Sequence, residues 1–442
     1  MVKVADLSKR FLVGRAKHSD RLGETLLPKR LALPVFASDA MSSVAYATQE
    51  ILIILALAGT AWLSLTPYAA AGVVVVLATV VTAYRQNVHA YPSGGGDYEV
   101  ANTNLGPQFG LIVAAALLVD YVLTVAVSTS AGVENLASTP AFGWMAEHRV
   151  GTTLAVVAII VLMNLRGIRE SGSAFAVPTY AFMFGILTMV ALGMWRLSSG
   201  DDLQAPTANY EIESELGELG AAGVIFLGLR AFASGCTALT GVEAISNGVP
   251  AFKKPKSKNA ATTLGMMGII SITMFSGVTF LAIRLGVKVS ENPADLIGLP
   301  PGQTQDTVIA QIGMTVFGGN TNLPFYFVQL MTALILVLAA NTAFNGFPVL
   351  ASILAQDRYM PRQMHTRGDR LVFSNGILLL AGFAGLLIWA FQAQSTKLIQ
   401  LYIVGVFVSF TLSQAGMVRH WNRLLAGPLP REERPRTLRR RA

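Results

Sequence analysis

Charged residues are scarce in this sequence. Asp, Glu, Lys and Arg make up 13% of its 442 residues, whereas 53% of the residues are hydrophobic. Soluble globular proteins carry roughly 25% charged residues, which they need to cover a surface that faces water. This composition predicts an integral membrane protein and excludes a water-soluble enzyme.

Cysteine and clustered histidine are also lacking. Cys236 is the single cysteine, and the five histidines form no cluster, so an internal disulfide and a zinc domain are excluded. No nucleophile, base and orienting group occur in a recognisable arrangement, so we expect neither an enzyme nor a bound cofactor. The net charge of +8 does not indicate nucleic-acid binding, because the basic residues lie between apolar runs.

Long apolar runs dominate what is present. A membrane-spanning helix needs about 20 mostly apolar residues, and ten runs come near this length. The ten predicted spans are Leu31 to Gly59, Pro67 to Tyr84, Phe109 to Gly132, Gly151 to Leu165, Ala174 to Trp195, Gly220 to Val249, Thr262 to Leu285, Pro324 to Leu354, Phe373 to Phe391 and Leu398 to Trp421. The fold class predicted is therefore all-α, in a lipid bilayer.

The basic residues predict an orientation for these spans. With both termini in the cytoplasm, 27 of the 33 Lys and Arg residues fall on the cytoplasmic side. We expect three regions: a cytoplasmic arm at 1–30 without signal-peptide character, a transport core at 31–421, and a basic, disordered cytoplasmic tail at 422–442. The loops Asp201 to Glu218 and Glu291 to Asn320 are predicted to lie outside.

Two of the ten spans are interrupted by polar residues. The first contains Ser38 to Ser43, and the sixth contains Ser234 to Thr237 and then Thr240-Gly241. Such clusters are tolerated at membrane depth where a helix unwinds beside a protein-lined cavity. Interruptions five spans apart are typical of transporters with inverted repeats, which bind substrate between the broken helices. The alternative is two polar-tolerant helices that pack through small residues.

Few ionisable residues lie within the spans: Asp39, Asp120, Glu243 and Arg230, with Glu50 and Glu134 nearer the edges. A carboxylate at the bilayer centre costs at least about 2.5 kcal/mol, so each needs a cation, a proton or water. Asp120, Thr124 and Ser128 line one helical face, and Asp39 and Tyr46 are two turns apart. Such oxygen ligands suit an alkali cation. The alternative is an internally hydrogen-bonded polar seam.

The triple glycine Gly94-Gly95-Gly96 lacks the trailing Lys-Ser/Thr and the preceding strand of a phosphate-binding loop. We expect it to form a tight turn or a close helix contact at the cytoplasmic end of the second span.

Five blocks of sequence resemble a known family. They are Ser38 to Tyr46, Tyr91 to Tyr98, Leu118 to Val125, Asn164 to Gly167 and Leu239 to Asn247. Together they are similar to the APC superfamily of amino acid-polyamine-organocation transporters and, within it, to the KimA-type potassium importers of bacteria. The resemblance covers about Phe11 to Trp421.

The resemblance implies proton-coupled potassium uptake through a LeuT/APC-type fold of two inverted five-helix repeats, with the first and sixth helices broken. It implies a multi-pass protein of the bacterial cytoplasmic membrane, whose partners are the lipid bilayer, potassium and protons. The implied cation and proton site consists of Asp39, Tyr46, Asp120, Tyr121, Thr124, Ser128, Thr240, Glu243 and Tyr402, with potassium bound at Asp39, Asp120 and Thr240. Which carboxylate carries the proton stays open.

The sequence departs from these importers after the tenth span, where they have two further spans and a cytosolic regulatory domain. Homodimer formation is therefore left open. Two other functions also stay open: an amino acid or amine permease, and a non-transporting protein that binds a solute or partner. Asp39 in the first interruption favours a cation, because a fixed negative charge repels a substrate carboxylate.

Overall fold

The computed structural model describes residues 26–94, 96–166, 172–217, 219–300, 303–366 and 373–427. Most of the predicted cytoplasmic arm (1–25) and most of the predicted tail (428–442) lie outside the described residues, as do Gly95 and Gly167.

The described chain is almost entirely helical. Its α-helices are α1 Lys29–Ser42, α2 Val44–Ala56, α3 Thr66–Ala90, α4 Gly96–Leu105, α5 Pro107–Ala137, α6 Trp144–Glu147, α7 Arg149–Leu165, α8 Gly172–Ser198, α9 Ala221–Gly235, α10 Glu243–Asn247, α11 Lys256–Arg284, α12 Val308–Phe317, α13 Leu323–Gln356, α14 Ser374–Ala390 and α15 Ser395–Ala426. Short 3-10 helices cover Thr60–Leu65, Pro140–Phe142, Cys236–Leu239, Val249–Ala251, Pro293–Asp295 and Arg362–Met364.

Seven helical stretches among the described residues are long and apolar enough to cross a membrane. They are Thr60–Ala90, Pro107–Ala137, Phe175–Ser198, Ala221–Asn247, Lys256–Arg284, Leu323–Gln356 and Ser395–Ala426. The other three predicted runs are also helical but shorter: α7 and α14 have 17 residues each, and the first run is divided into helices of 14 and 13 residues. Seven of the ten predicted spans therefore have the length of a complete crossing.

Large apolar side chains on the outer faces of these helices are exposed. Ile269 and Val404, for example, are 70% and 64% exposed, whereas Phe275 and Ile399 of the same two helices are fully buried. A row of exposed apolar side chains is costly in water but suits a lipid environment. Together with the seven long apolar helices, this surface defines an integral membrane protein.

The first interruption is short. Helix α1 ends at Ser42 and α2 begins at Val44, with Ser43 still in a right-handed helical conformation. The hydroxyl groups of Ser42 and Ser43 donate to the carbonyl oxygens of Asp39 and Ala40 at 2.7 and 2.8 Å. These bonds satisfy both hydroxyl groups within the interruption, so neither needs a partner from another helix.

The second interruption is longer. Helix α9 ends at Gly235, a 3-10 turn follows, Thr240 is extended, and Gly241 has a φ of +76° before α10 begins at Glu243. A positive φ suits glycine, because it has no Cβ to clash with the backbone. Seven residues of non-α-helical backbone, 236–242, therefore lie between two helical pieces of one apolar stretch.

The two loops that were predicted to lie outside are more ordered than the sequence indicates. A two-residue antiparallel ribbon joins them, with Glu211 opposite Ile297 and Ile212 opposite Leu296. The segment Glu291 to Asn320, which the sequence placed in a loop, contains the ten-residue helix α12, capped by the Thr307 side chain. The sequence analysis did not identify this helix, because its apolar run is too short for a span. The helix packs against α13 and α8.

The tenth span is also longer than predicted, since α15 continues to Ala426 rather than ending near Trp421. Helix α5 packs against both α13 and α15, α3 packs against α11, and α9 packs against α2. These contacts bring the two interrupted regions and α5 to the middle of the bundle.

Candidate cation-binding site

The two interruptions lie directly against each other. A Cβ built at Gly241 would be 2.6 Å from the backbone nitrogen of Ala40 and 2.8 Å from the Oδ2 atom of Asp39. Only glycine allows so close an approach of two backbones. The second interruption therefore packs onto the Asp39 carboxylate of the first.

Three buried carboxyl groups converge at this contact. Asp39, Asp120 and Glu243 are 7%, 4% and 5% exposed, and they lie close enough to interact electrostatically with one another. They come from three parts of the chain: α1, the middle of α5 and the start of α10. The structure therefore brings together the three intramembrane carboxylates that the sequence singled out.

These carboxyl groups have no basic partner in the part of the chain that the structure describes. The ion pairs found there are Glu134 with Arg149 and Arg196 with Asp201. One oxygen of each carboxyl group, Asp39 Oδ1, Asp120 Oδ1 and Glu243 Oε2, is buried without a hydrogen-bond partner. Leaving a buried carboxylate oxygen unpartnered costs free energy, which a bound cation or a proton can offset.

Hydroxyl groups surround the carboxylates. The Thr124 and Tyr402 hydroxyl oxygens are 3.0 Å apart, and the Tyr46 hydroxyl lies close to that of Thr240. Thr240 itself donates to the carbonyl oxygen of Thr237 at 2.9 Å, within the second interruption. Hydroxyl and carbonyl oxygens can replace the hydration shell of an alkali cation, so the site has suitable neutral ligands.

Two sequence-predicted residues lie at the edge of this arrangement. Tyr121 packs against Gly346 of α13, where a Cβ would be 2.6 Å from its ring, and it lies within electrostatic range of Glu243. Ser128 is 1% exposed, one turn beyond Thr124 on α5. Arg230, in contrast, is exposed on α9, which favours contact with the membrane surface over neutralisation of a carboxylate.

Among the described residues, no group of three or more His, Cys, Asp or Glu side chains is arranged to hold a metal ion. The candidate potassium ligands Asp39, Asp120 and Thr240 combine two carboxylates with one hydroxyl. Such a mixed oxygen set differs from the carboxylate- and histidine-rich sites of divalent and transition metals.

Glu50 is a fourth buried carboxylate, which the sequence placed only near a span edge. It is fully buried on α2, and its Oε2 accepts from Ser234 and Gln400 at 3.4 Å each, while Gln400 also donates to Ser234 at 2.8 Å. Glu50 and Gln400 are 350 residues apart, so no local pattern in the sequence could reveal the contact.

A cavity of about 140 Å³ lies on the predicted outer side of the bundle. Its lining includes Gln49, Glu134, Thr307 and Ser395. The same four residues also line a small void of about 10 Å³ whose wall includes Tyr46. The four shared residues therefore connect the cavity with the surroundings of Tyr46.

The fold and this site together define a multi-span membrane protein with a buried cluster of carboxyl groups. Residues 33–424 match the family described as amino acid permease, so the chain belongs to that family. This result confirms the resemblance to the APC superfamily found in the sequence.

The chain is also similar to a curated protein, the potassium transporter KimA of Bacillus subtilis (strain 168). The two are 47% identical over 416 residues, which are 93% of this chain and 64% of KimA. The chain thus spans less than two thirds of the length of that relative. Among solved structures, the chain is similar to a crystal structure of a mutant manganese transporter from Eremococcus coleocola. The match covers 92% of this chain and 84% of the manganese transporter, with 11% sequence identity and a TM-score of 0.42.

Proposed function

We propose that the chain is a secondary active transporter that takes up potassium across the cytoplasmic membrane of a bacterium, coupled to protons. The observation that carries this proposal is the set of three buried carboxyl groups, Asp39, Asp120 and Glu243, with one unpartnered oxygen each and no described basic partner. The 47% identical relative is a potassium transporter, which supports the same substrate.

Potassium would bind between Asp39, Asp120 and Thr240, with the hydroxyls of Tyr46, Thr124, Ser128 and Tyr402 and the ring of Tyr121 around it. The carbonyl oxygens of residues 236–242 add further ligands, because non-helical backbone beside a cavity can coordinate an ion. A proton would reside on Asp39, Asp120 or Glu243, which titrate as a set. This proton would enter the cell together with potassium, so the inward proton gradient would drive uptake.

We also propose the architecture that the resemblance implies: two inverted five-helix repeats, with α1–α2 and α9–α10 as the broken helices at the repeat interface. Both termini would lie in the cytoplasm, so the cavity near Glu134 would open to the outside. Alternating access would then close that cavity and open the opposite face.

The alternative is an amino acid or amine permease of the same superfamily, which the family description favours. A substrate carboxylate next to Asp39, Asp120 and Glu243 would meet like charges in a low-dielectric setting. An amine without a carboxylate would not meet this repulsion. The choice of substrate is therefore an experimental question between a metal cation and an organic one.

Growth of a bacterial host that lacks its own potassium uptake tests the substrate. The proposal predicts that the expressed chain restores growth at low potassium, and that acidifying the medium accelerates uptake because protons enter with potassium. The same cells should take up no labelled amino acids or amines beyond the empty-vector level. Amino acid or amine uptake without growth rescue would overturn the proposal and support the permease.

A further inference from the structure

Asp97 is a buried acid outside the candidate cation site. It is 1% exposed on α4, at the predicted cytoplasmic end of the bundle. The Tyr84 hydroxyl donates to it and is 2.8 and 2.7 Å from its two oxygens, while Ser409 and Ser413 donate to Oδ2 and Oδ1 at 2.9 and 2.7 Å. Asp97 therefore connects α3 and α15 through three hydroxyl groups.

The donors on α15 are unusual for a helix. Many helical hydroxyl groups in this protein donate to a carbonyl of their own helix, as Thr129 and Thr332 do. Ser409 and Ser413, four residues apart on one face, instead donate across to the Asp97 carboxylate. Hydrogen bonds to a carboxylate are stronger than those between neutral groups, so this contact holds α15 firmly.

Helix α4 and the turn before it also pack closely against α10 and the 3-10 helix that follows α10. A Cβ at Gly96 would lie 1.6 Å from the Oδ1 atom of Asn247, and a Cβ at Gly94 would lie 2.3 Å from Pro250. Tyr98 of α4 donates to Asp357, just after α13, at 2.8 Å. The short helix thus joins four parts of the bundle at the predicted cytoplasmic face.

Along α15, Ser395 lines the cavity, Tyr402 lies at the site and Ser409 contacts Asp97, so Asp97 lies on the side of the site opposite that cavity. It is close enough to Asp120 and Glu243 to interact electrostatically with both. A cation that leaves the three carboxylates toward the cytoplasm must therefore pass the region where α4 and α15 meet. That region is sealed by buried hydrogen bonds in this structure.

We propose that Asp97 is a gating residue: its carboxylate fastens α15 to α3 at the cytoplasmic face, and Ser409 and Ser413 must leave it before that face opens. Asp97 acts through the position of α15 and is a positioning residue. The direction of cargo release rests on the proposed transport function, whereas the opening of this face does not.

Cysteine labelling at the two faces tests the gate in the full chain. In a Cys236→Ala background, Ser246→Cys would report on the buried cytoplasmic end of α10, and Ala137→Cys on the outer cavity. A small thiol reagent is applied to proteoliposomes in excess of protein. Each reporter is combined with the double substitution Ser409→Ala and Ser413→Ala. The reagent should then label position 246 about tenfold faster and position 137 more slowly, because the hydrogen bonds to the charged Asp97 that keep the cytoplasmic face closed are lost.

Asp97→Asn is the second variant and should shift both rates in the same directions, since it weakens the bonds from the acceptor side. Thr263→Ala is the matched control: it removes a buried hydroxyl that donates to a carbonyl of its own helix, and it should change neither rate. Unchanged rates in both gate variants, or faster labelling at both positions, would overturn the proposal.

This readout separates the gate from the proposed substrate. Reciprocal changes in labelling without any potassium uptake by the parent protein would reject potassium transport and keep the gate. Potassium uptake together with unchanged labelling would keep the transport function and reject the gate.

Discussion

Thr124 of α5 and Tyr402 of α15 share a buried hydrogen bond, with their hydroxyl oxygens 3.0 Å apart. Thr124 lies one turn after Asp120, so the bond places α15 beside the carboxylate-bearing face of α5. Gly405 extends this contact, because a Cβ there would lie 3.4 Å from the Ala116 carbonyl oxygen. Helix α15 therefore follows α5 closely next to the candidate site.

The Thr124–Tyr402 bond should be energetically coupled to uptake. Tyr402→Phe and Thr124→Val each remove one hydroxyl while keeping most of the packing, so each should raise the half-saturating potassium concentration several-fold. The double variant should be little worse than either single one, because the shared bond is lost only once. Tyr68→Phe, on a ring that is 76% exposed, is the control. Fully additive effects in uptake assays would contradict the coupling.

Gly241 should be intolerant of a side chain. In Gly241→Ala, the positive φ costs about 1–2 kcal/mol, and the methyl group would collide with the backbone of Ala40. We expect a lower melting temperature in detergent and at least about tenfold slower uptake. Gly382→Ala is the matched control, since a Cβ there meets nothing within 4 Å. Wild-type uptake by Gly241→Ala would show that the two interruptions can separate without loss of function.

Glu134 should stabilise the start of α15. Its Oε1 accepts from the backbone nitrogen of Ser395 at 3.0 Å, and its Oε2 accepts from the Ser395 hydroxyl. A negative charge at a helix N-terminus is worth about 0.3–1 kcal/mol, and more when partly buried. Glu134→Gln should therefore lower the melting temperature by a few degrees.

The ion pair of Glu134 with Arg149 should matter less. Its atoms are 3.8 Å apart, and the two side chains are 19% and 33% exposed. Partly exposed pairs at this distance are worth about 0–1 kcal/mol. Arg149→Gln should thus change the melting temperature less than Glu134→Gln does, and the reverse order would assign the stabilisation to the ion pair.

Asp306, in the loop before α12, should make stability depend on pH. Burial raises its pKa from the ordinary 3.8 to about 6, so the folded chain holds this proton more tightly than the unfolded chain. The contribution to stability is complete below about pH 4 and is lost as the pH rises through about 6. Asp306→Asn should therefore raise the melting temperature at pH 8 and leave it unchanged below pH 4. The exposed Asp202→Asn should do neither, and an equal effect of Asp306→Asn at both pH values would exclude titration as the cause.

The sequence predicted the helices well because hydropathy directly reflects the lipid environment. Each of the ten apolar runs coincides with one helix or with the pieces of an interrupted one, and Asp120 and Thr124 lie on one face of α5 as their spacing indicates. Gly94 and Gly96 also make the close helix contact expected of the triple glycine. These features depend on composition and helical periodicity alone.

Contacts between distant residues were beyond local patterns. Gln400 reaches Glu50 across 350 positions, and Ser409 and Ser413 reach Asp97 across more than 300. A serine in a helix usually bonds its own backbone, so nothing in the sequence marks these two as partners of an acid. Tyr402 was found only through the family resemblance. Helix α12 was missed because its ten residues are too few for a span.

The potassium flux of variants in which either aspartate is neutralised tests the central claim most directly. Purified chain in proteoliposomes, with an imposed proton gradient and potassium tracer outside, is compared with Asp39→Asn, Asp120→Asn and the exposed control Asp202→Asn. We expect tracer uptake by the parent protein and the control, and at least about a hundredfold loss in both site variants with melting temperatures retained, because a neutral amide cannot replace the charge that offsets dehydration of the ion. Parent-like potassium flux in both Asp39→Asn and Asp120→Asn would contradict the account.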